Sequence, residues 1–234
     1  MRSIAIITAR GGSKRIPKKN IKDFCGRPII SYSIQAALES GLFDEVMVST
    51  DSGEIAQIAK QCGAQVPFLR SPETSNDMAT TSEVIQEVLE RYETEGEFFD
   101  TACCIYPTAP FIKASHLVEA RELLADKKAD IVIPMTAFSY PPQRGMVQRR
   151  DGSMEMVSSE YRNSRSQDLE QIYHDCGQYY FFSVPRFKIN QNIMCGRIVP
   201  VIISELEMQD IDNESDWKLA ELKYRLLLEK DGLS

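Results

Sequence analysis

At 234 residues, 43% hydrophobic and 26% charged, the chain has ordinary globular composition and enough length to bury a sizeable core. Its net charge of −7 argues against a general nucleic-acid binder, so any basic cluster needs a local explanation. The six cysteines (Cys25, Cys62, Cys103, Cys104, Cys176 and Cys195) hold no CxxC pair, and only His116 and His174 could join them. That excludes a zinc framework and fits thiols kept reduced in a cytosol. The apolar run before Arg10 is too short for a signal h-region, and nothing approaches the roughly 20 apolar residues of a membrane span. A soluble, cytoplasmic protein is expected, with no membrane partner.

Taken in chain order, Ser3 to Thr8 reads as a buried strand and Ala9 to Asn20 as a glycine- and lysine-rich loop. Ile30, Ile34, Ala37 and Leu38 have helical spacing. Glu45 to Thr50 is a second strand, followed by a helix marked by Ile55, Ile58 and Ala59, with Asp51 as its cap. Thr80 and Glu83 form a capping-box pattern ahead of Val84, Ile85, Val88 and Leu89. Thr101 to Tyr106 and Asp130 to Met135 are strands, with a helix between them around Leu117 to Leu124. Cys103 and Cys104 fall in an apolar run and read as buried thiols.

Strands alternating with helices predict an α/β fold with a doubly wound, mostly parallel, Rossmann-like sheet. The alternation breaks between 137 and 169, a stretch rich in Pro, Arg, Ser and Met that reads as an inserted arm on a single domain spanning 1–234. Strands resume at Gln178 to Ser183 and Ile198 to Ile203, and a last helix runs from about Glu214 to Leu228.

The loop carries the chemistry. Arg10, Lys14, Arg15, Lys18 and Lys19 place five cations within ten residues, directly after the first strand. Open α/β sheets bind ligands at that carboxyl end. Gly11 and Gly12 let the backbone approach a ligand, and their amides can form an anion nest. A nucleoside triphosphate, with about four negative charges, matches this set. The loop is neither GxxxxGK[ST] nor GxGxxG. Near the other end, Asp210 and Asp212 flank Ile211, and on an extended chain both carboxylates face one side while Ile211 faces the core. Such a pair suits Mg²⁺, which takes one or two carboxylates plus phosphates and waters. Asn213 and Asp216 read instead as the cap of the last helix.

The string ARGGSKRIPKKN, followed by Gly26-Arg27-Pro28, resembles the opening of the CMP-sialic acid synthetase family, cytidylyltransferases with a GT-A-like nucleotidyltransferase fold. The resemblance implies that CMP passes from CTP to the anomeric hydroxyl of an acidic nine-carbon sugar, releasing pyrophosphate, with Mg²⁺ as cofactor. It makes Ala9, Arg10, Gly11, Gly12, Ser13, Lys14, Lys19 and Asn20 nucleotide contacts, with Lys19, Arg10 and Asp212 as the catalytic set and Asp210 and Asp212 as the metal ligands. Val66 to Arg70 and the hydroxyl residues after it are also similar to the family, which places Arg70 near cytosine and Thr80 and Thr81 near the nucleotide. The capping role accounts for Thr80 without any ligand.

Ile105 to Phe111 stands where the family has LQPTSPLR, and Tyr106 occupies the place of a sugar-facing glutamine. That departure argues against plain sialic acid. The segment YHDCGQYY, Tyr173 to Tyr180, resembles the pseudaminic acid branch. By resemblance Tyr106, Arg165, His174, Gln178 and Tyr179 face the sugar, with Arg165 pairing its carboxylate. One of Tyr179 and Tyr180 is expected in the core. The family also implies a homodimer in which the arm reaches the partner, and a product destined for surface structures such as flagellin. Legionaminic acid, N-acetylneuraminic acid and KDO stand as alternative acceptors, and a nucleotide-sugar glycosyltransferase as the alternative chemistry.

Overall fold

A computed structural model describes residues 1–230. The chain runs β1 (Ser3–Thr8), β2 (Asp23–Phe24), β3 (Arg27–Pro28), α1 (Ile30–Ser40), β4 (Glu45–Ser49), α2 (Gly53–Gln61), α3 (Pro72–Ser75), α4 (Thr81–Thr94), β5 (Thr101–Ile105), α5 (Ala114–Asp126) and β6 (Ile131–Ala137). It continues with β7 (Met146–Gln148), β8 (Met154–Met156), β9 (Tyr173–Asp175), β10 (Tyr179–Ser183), α6 (Val184–Asn190), β11 (Ile198–Ile202) and α7 (Glu214–Lys230).

The main sheet has seven strands in the order β11-β6-β10-β5-β1-β4, with β9 also paired to β6. β1 is parallel to both β4 and β5, and β11 is parallel to β6. β10 runs antiparallel between β5 and β6, so the sheet is mixed around a parallel core. The sequence pattern does not show this reversal, because a strand buried on both faces has the same continuous apolar run in either direction.

Side chains alternate across each strand and feed two cores. Ala5, Ile7, Cys103, Ile105, Tyr179 and Phe181 pack on the face covered by α1, α2 and α5. Ile4, Ile6, Ala102, Cys104, Tyr180 and Phe182 pack on the other, against α4 and α6. Cys103 and Cys104 therefore bury on opposite faces, and neither is in a disulfide. Thr80 caps α4 through the complete capping box with Glu83. Ser52, not Asp51, caps α2, its side chain accepting from the Ile55 amide. Asp51 sits one residue too early to reach those amides and bonds elsewhere.

β2 and β3 form a hairpin whose turn residues Cys25 and Gly26 both have positive φ, as a tight two-residue turn requires. A third cluster joins Ile16, Phe24, Ile29, Tyr32, Ile211 and Trp217. It anchors the basic loop through Ile16 and the Asp210–Asp212 segment through Ile211. Two regions almost 200 residues apart in sequence are thereby fixed to one apolar knot.

The arm forms the β7–β8 hairpin flanked by short 3-10 turns at Pro142–Arg144, Ser159–Tyr161 and Ser166–Asp168. Its strands are mostly exposed.

Candidate active site

β1 has β4 on one side and β5 on the other, so the chain leaves β1 at a topological switch point. Crevices form there because connections on either side of the strand depart to opposite faces. A cavity of about 440 Å³ opens at this point.

The basic loop makes one wall of it. Arg10, Lys14, Arg15 and Lys19 line the cavity, together with Ser13 and Asn20. The loop is braced from within. Asn20 is buried and its amide donates to Arg10 O at 2.9 Å, and the Ser13 hydroxyl donates to Ile16 O at 2.6 Å. Lys18 takes a left-handed conformation, turning its own side chain outward to Glu54 at 2.7 Å and leaving Lys19 directed inward. Lys19 Nζ donates to Ile211 O at 2.7 Å and lies 3.9 Å from Asp212 Oδ1. Burial lowers its pKa, and Asp212 and Asp210 oppose that shift. Arg15 donates to the same Asp212 oxygen at 2.7 Å.

Arg70 closes the floor. It is buried, and its guanidinium donates to Ser49 O at 2.6 Å and to Ser49 Oγ at 3.0 Å. Burial lowers its pKa, yet a guanidinium keeps its proton, so a fixed positive charge faces the cavity. Thr81 and Tyr106 complete the far wall, their hydroxyls 3.2 Å apart.

Several expected contacts lie elsewhere. Ala9 is fully buried and its amide donates to Ser49 O, so it is a strand-end residue with no free donor. The Gly11 amide is taken by Asp51 Oδ1 at 2.7 Å, which corrects both the free-nest reading of this glycine and the capping role of Asp51. A Cβ on Gly11 would come within 3.2 Å of Ser52 Cβ, so close packing explains that glycine. Gly12 is exposed and outside the cavity lining. Thr80 caps α4 and lines a neighbouring cavity with Ser82 and Asp175.

The sugar-facing set divides more sharply. Tyr106 lies where the two cavities meet. Tyr179 belongs to the core, 0% exposed, with its hydroxyl donating to His116 O at 3.2 Å. Gln178 is buried too, its amide donating to Glu207 O. The pleat puts Tyr180 on the opposite face, and it is Tyr180 that reaches the neighbouring cavity. His174 bonds Asp175 O through Nδ1 and packs against Phe138 with the rings tilted, and Arg165 is exposed on the arm; neither is among the residues that line these two cavities.

Sequence reasoning missed Asp77, which joins both Arg10 and Lys14 at the cavity mouth. A loop acid seven residues past Arg70 carries no pattern that would single it out. Tyr180 and Asp175 were missed as well, because Tyr179 to Phe182 are buried on both faces of the sheet and the sequence pattern does not single out Tyr180.

Asp212 lines the first cavity, and Asp210 stands beside it. The Asp210 pKa is raised, by burial first and by the Asp212 charge next. No group of three or more His, Cys, Asp or Glu side chains gathers to hold an ion among the described residues. Two adjacent carboxylates that repel one another, beside a polyphosphate-sized cavity, nevertheless fit Mg²⁺, because substrate phosphates and waters supply its other ligands. Asn213 and Asp216 do cap α7: Asn213 Oδ1 accepts from the Ser215 and Asp216 amides, and Asp216 Oδ2 accepts from the Asp212 and Asn213 amides.

A Rossmann-like sheet with a polycationic cavity at its switch point and a carboxylate pair at its rim defines a nucleotide-handling α/β enzyme. Residues 4–211 match the family described as Cytidylyltransferase, and the chain belongs to that family. It is 37% identical, over 97% of both chains, to pseudaminic acid cytidylyltransferase of Campylobacter jejuni subsp. jejuni serotype O:2. It is 32% identical to CMP-N,N'-diacetyllegionaminic acid synthase of Legionella pneumophila, over 94% of this chain and 95% of that one. The structure of a CMP:2-keto-3-deoxy-manno-octonic acid synthetase complexed with CTP aligns over 98% of this chain and 100% of that one, with a TM-score of 0.67 at 18% identity, which shows the shared fold.

Proposed function

We propose that this protein transfers CMP from CTP to the anomeric hydroxyl of a nonulosonic acid, giving a CMP-sugar and pyrophosphate, and that the acceptor is pseudaminic acid. The observation that carries the reading is the meeting of the basic loop and Asp212 in one cavity. A cluster of cations alone would serve any anion, and a carboxylate pair alone would serve a helix end. Together they suit a triphosphate with its metal.

The anomeric oxygen attacks the α-phosphorus, and its proton passes to solvent as the new O–P bond forms. The bond to the β-phosphate breaks, and pyrophosphate leaves. Arg10, Lys14 and Lys19 stabilise charge on the phosphates and on the departing pyrophosphate, and Arg70 keeps a positive charge at the cavity floor, in the region assigned to the base. Positioning and fixed charge supply most of the acceleration in such transfers. Asp210 and Asp212 would hold Mg²⁺, which when bound neutralises phosphate charge. The acceptor enters through the adjoining cavity, past Tyr106 and Tyr180. The choice of pseudaminic acid rests on Tyr106, on the YHDCGQYY segment and on the relatives of that name.

We assign the chain to a cytoplasmic homodimer, in which the arm at 137–169 would carry Arg165 toward the partner's acceptor cavity. No helix among the described residues is long and apolar enough to cross a membrane.

The test is pyrophosphate release from CTP and Mg²⁺ with pseudaminic, legionaminic and N-acetylneuraminic acids and KDO in parallel. Release with pseudaminic acid alone is expected. Release with another sugar keeps the chemistry and changes the acceptor. Release with none, from folded protein that binds CTP, removes the proposal and turns attention to a nucleotide-sugar glycosyltransferase.

A further inference from the structure

The adjoining cavity holds about 690 Å³, and no Lys, Arg or His lines it among the described residues. Its charged groups are Glu83 and Asp175. One Glu83 oxygen takes both the Thr80 amide and the Thr80 hydroxyl, as the α4 cap, whereas Asp175 is tied to another residue of the cavity lining, Tyr180.

Asp175 is held from two sides. Its Oδ1 accepts from the Gly177 amide at 2.8 Å, and its Oδ2 accepts the hydroxyl of Tyr180. A carboxylate has no proton to give, so the Tyr180 hydroxyl must donate to it. With its proton committed to Asp175, the Tyr180 oxygen, which also meets the Tyr106 hydroxyl, can act toward the cavity only as an acceptor. Tyr180 is itself fixed, buried to 6% exposure with its ring edge-on to Tyr106 at 5.5 Å between centroids. Burial and the neighbouring Tyr106 and Asp175 raise the Tyr180 pKa, so the phenol stays neutral at physiological pH. This stretch of wall accepts hydrogen bonds and repels anions.

We propose that Asp175 is a specificity-determining residue that acts through Tyr180, setting this wall to accept hydrogen bonds and so selecting acceptors that present an acylamino N–H there. The inference rests on the acceptor reading given above. It also fixes the acceptor's orientation: the sugar carboxylate must point away from this wall, toward the cations. An N–H can only donate, whereas a hydroxyl can do either, so an acylamino group is the substituent such a wall distinguishes best.

Asp175→Asn is close to isosteric. Its Oδ1 keeps the Gly177 amide, but its Nδ2 now faces the Tyr180 oxygen, and the freed phenolic proton turns into the cavity as a donor. The measurement is kcat and KM by pyrophosphate release for Asp175→Asn, Tyr180→Phe and the double variant, with thermal melts of each. The KM for pseudaminic acid is expected to rise about tenfold in each single variant, with the KM for CTP within about twofold of wild type. The double should be no worse than the weaker single, because both variants break one linkage. An unchanged sugar KM in Asp175→Asn, losses that multiply in the double, or equal rises in both KM values with a lowered melting point would each overturn the assignment. Wild-type protein that releases no pyrophosphate with any nonulosonic acid overturns the functional reading, and this inference with it.

Discussion

The two cavities share Thr81 and Tyr106 in their linings and differ in almost everything else. Five cations face the first, set against Asp77 and Asp212. The second has Glu83 and Asp175 and no cation among its described lining residues. Four of the five cations of the first come from one continuous loop, with Arg70 and Asp212 added from elsewhere in the chain. The second is built from side chains of α4, β9, β10 and the turn after α6, which are distant from one another in sequence. A polyphosphate needs dense charge, which a short basic loop supplies locally. A sugar needs directed hydrogen bonds from several sides, which only packing can assemble. The aromatic pair Tyr106 and Tyr180 stands between these two demands.

Removing the loop's inward lysine should separate the cavities most clearly. Lys19→Ala is expected to lower kcat by about 10²–10³-fold, the usual cost of losing a preorganised charge-stabilising donor, with the melting point nearly unchanged. Turnover close to wild type in a pyrophosphate-release assay would falsify its role. Asp212→Asn comes next. The midpoint of the Mg²⁺ titration should move upward by about tenfold or more, since one of two carboxylate ligands is lost. A titration that superimposes on wild type, in protein with its fold verified by circular dichroism, would leave Asp212 as a tether for Arg15 and Lys19.

On the second cavity's rim the expected effect is on stability. Thr80→Ala should cost about 1 kcal/mol by loss of the α4 cap, read as a shifted denaturation midpoint, with the KM for CTP unchanged. A raised KM for CTP would return Thr80 to the nucleotide site. The smallest change expected is at Asp77→Asn. Freeing Arg10 and Lys14 from this exposed carboxylate should lower the KM for CTP by about two- to threefold, since pairs in water are weak. An increased KM would mean that Asp77 holds the loop in its binding shape.

Strands β1, β4, β5, β6, β10 and β11 and helices α1, α2, α4, α5 and α7 were legible because each leaves a pattern in the sequence, and the bounds of β1 and the Thr80–Glu83 capping box lie where that pattern puts them, whereas β2, β3, β7, β8, β9, α3 and α6 are too short to leave one. Local chemistry was legible for the same reason: Arg10, Ser13, Lys14, Lys19 and Asn20 are near neighbours, and one loop carries them to one cavity. Gly11 and Asp51 were misread because their partners are each other, 40 residues apart, and spacing does not report such a bond. The phase of β10 was misjudged for a related reason. An unbroken run of Tyr179, Tyr180, Phe181 and Phe182 is apolar on both faces, so alternation gives no sign of which tyrosine looks outward.

By itself, then, the sequence determined the α/β alternation, the polycationic loop at the end of the first strand, and a carboxylate pair held by an inward isoleucine. These depend on interactions among residues close along the chain. Tertiary structure alone decided that β10 runs antiparallel, that Ile16 and Ile211 meet in one apolar cluster and so bring Lys19 to Asp212, and that Asp175 holds the hydroxyl of Tyr180 at the wall of a second cavity. Each of these is a contact between distant segments, made when burial of apolar surface selects one packing arrangement, and that choice is a property of the whole core.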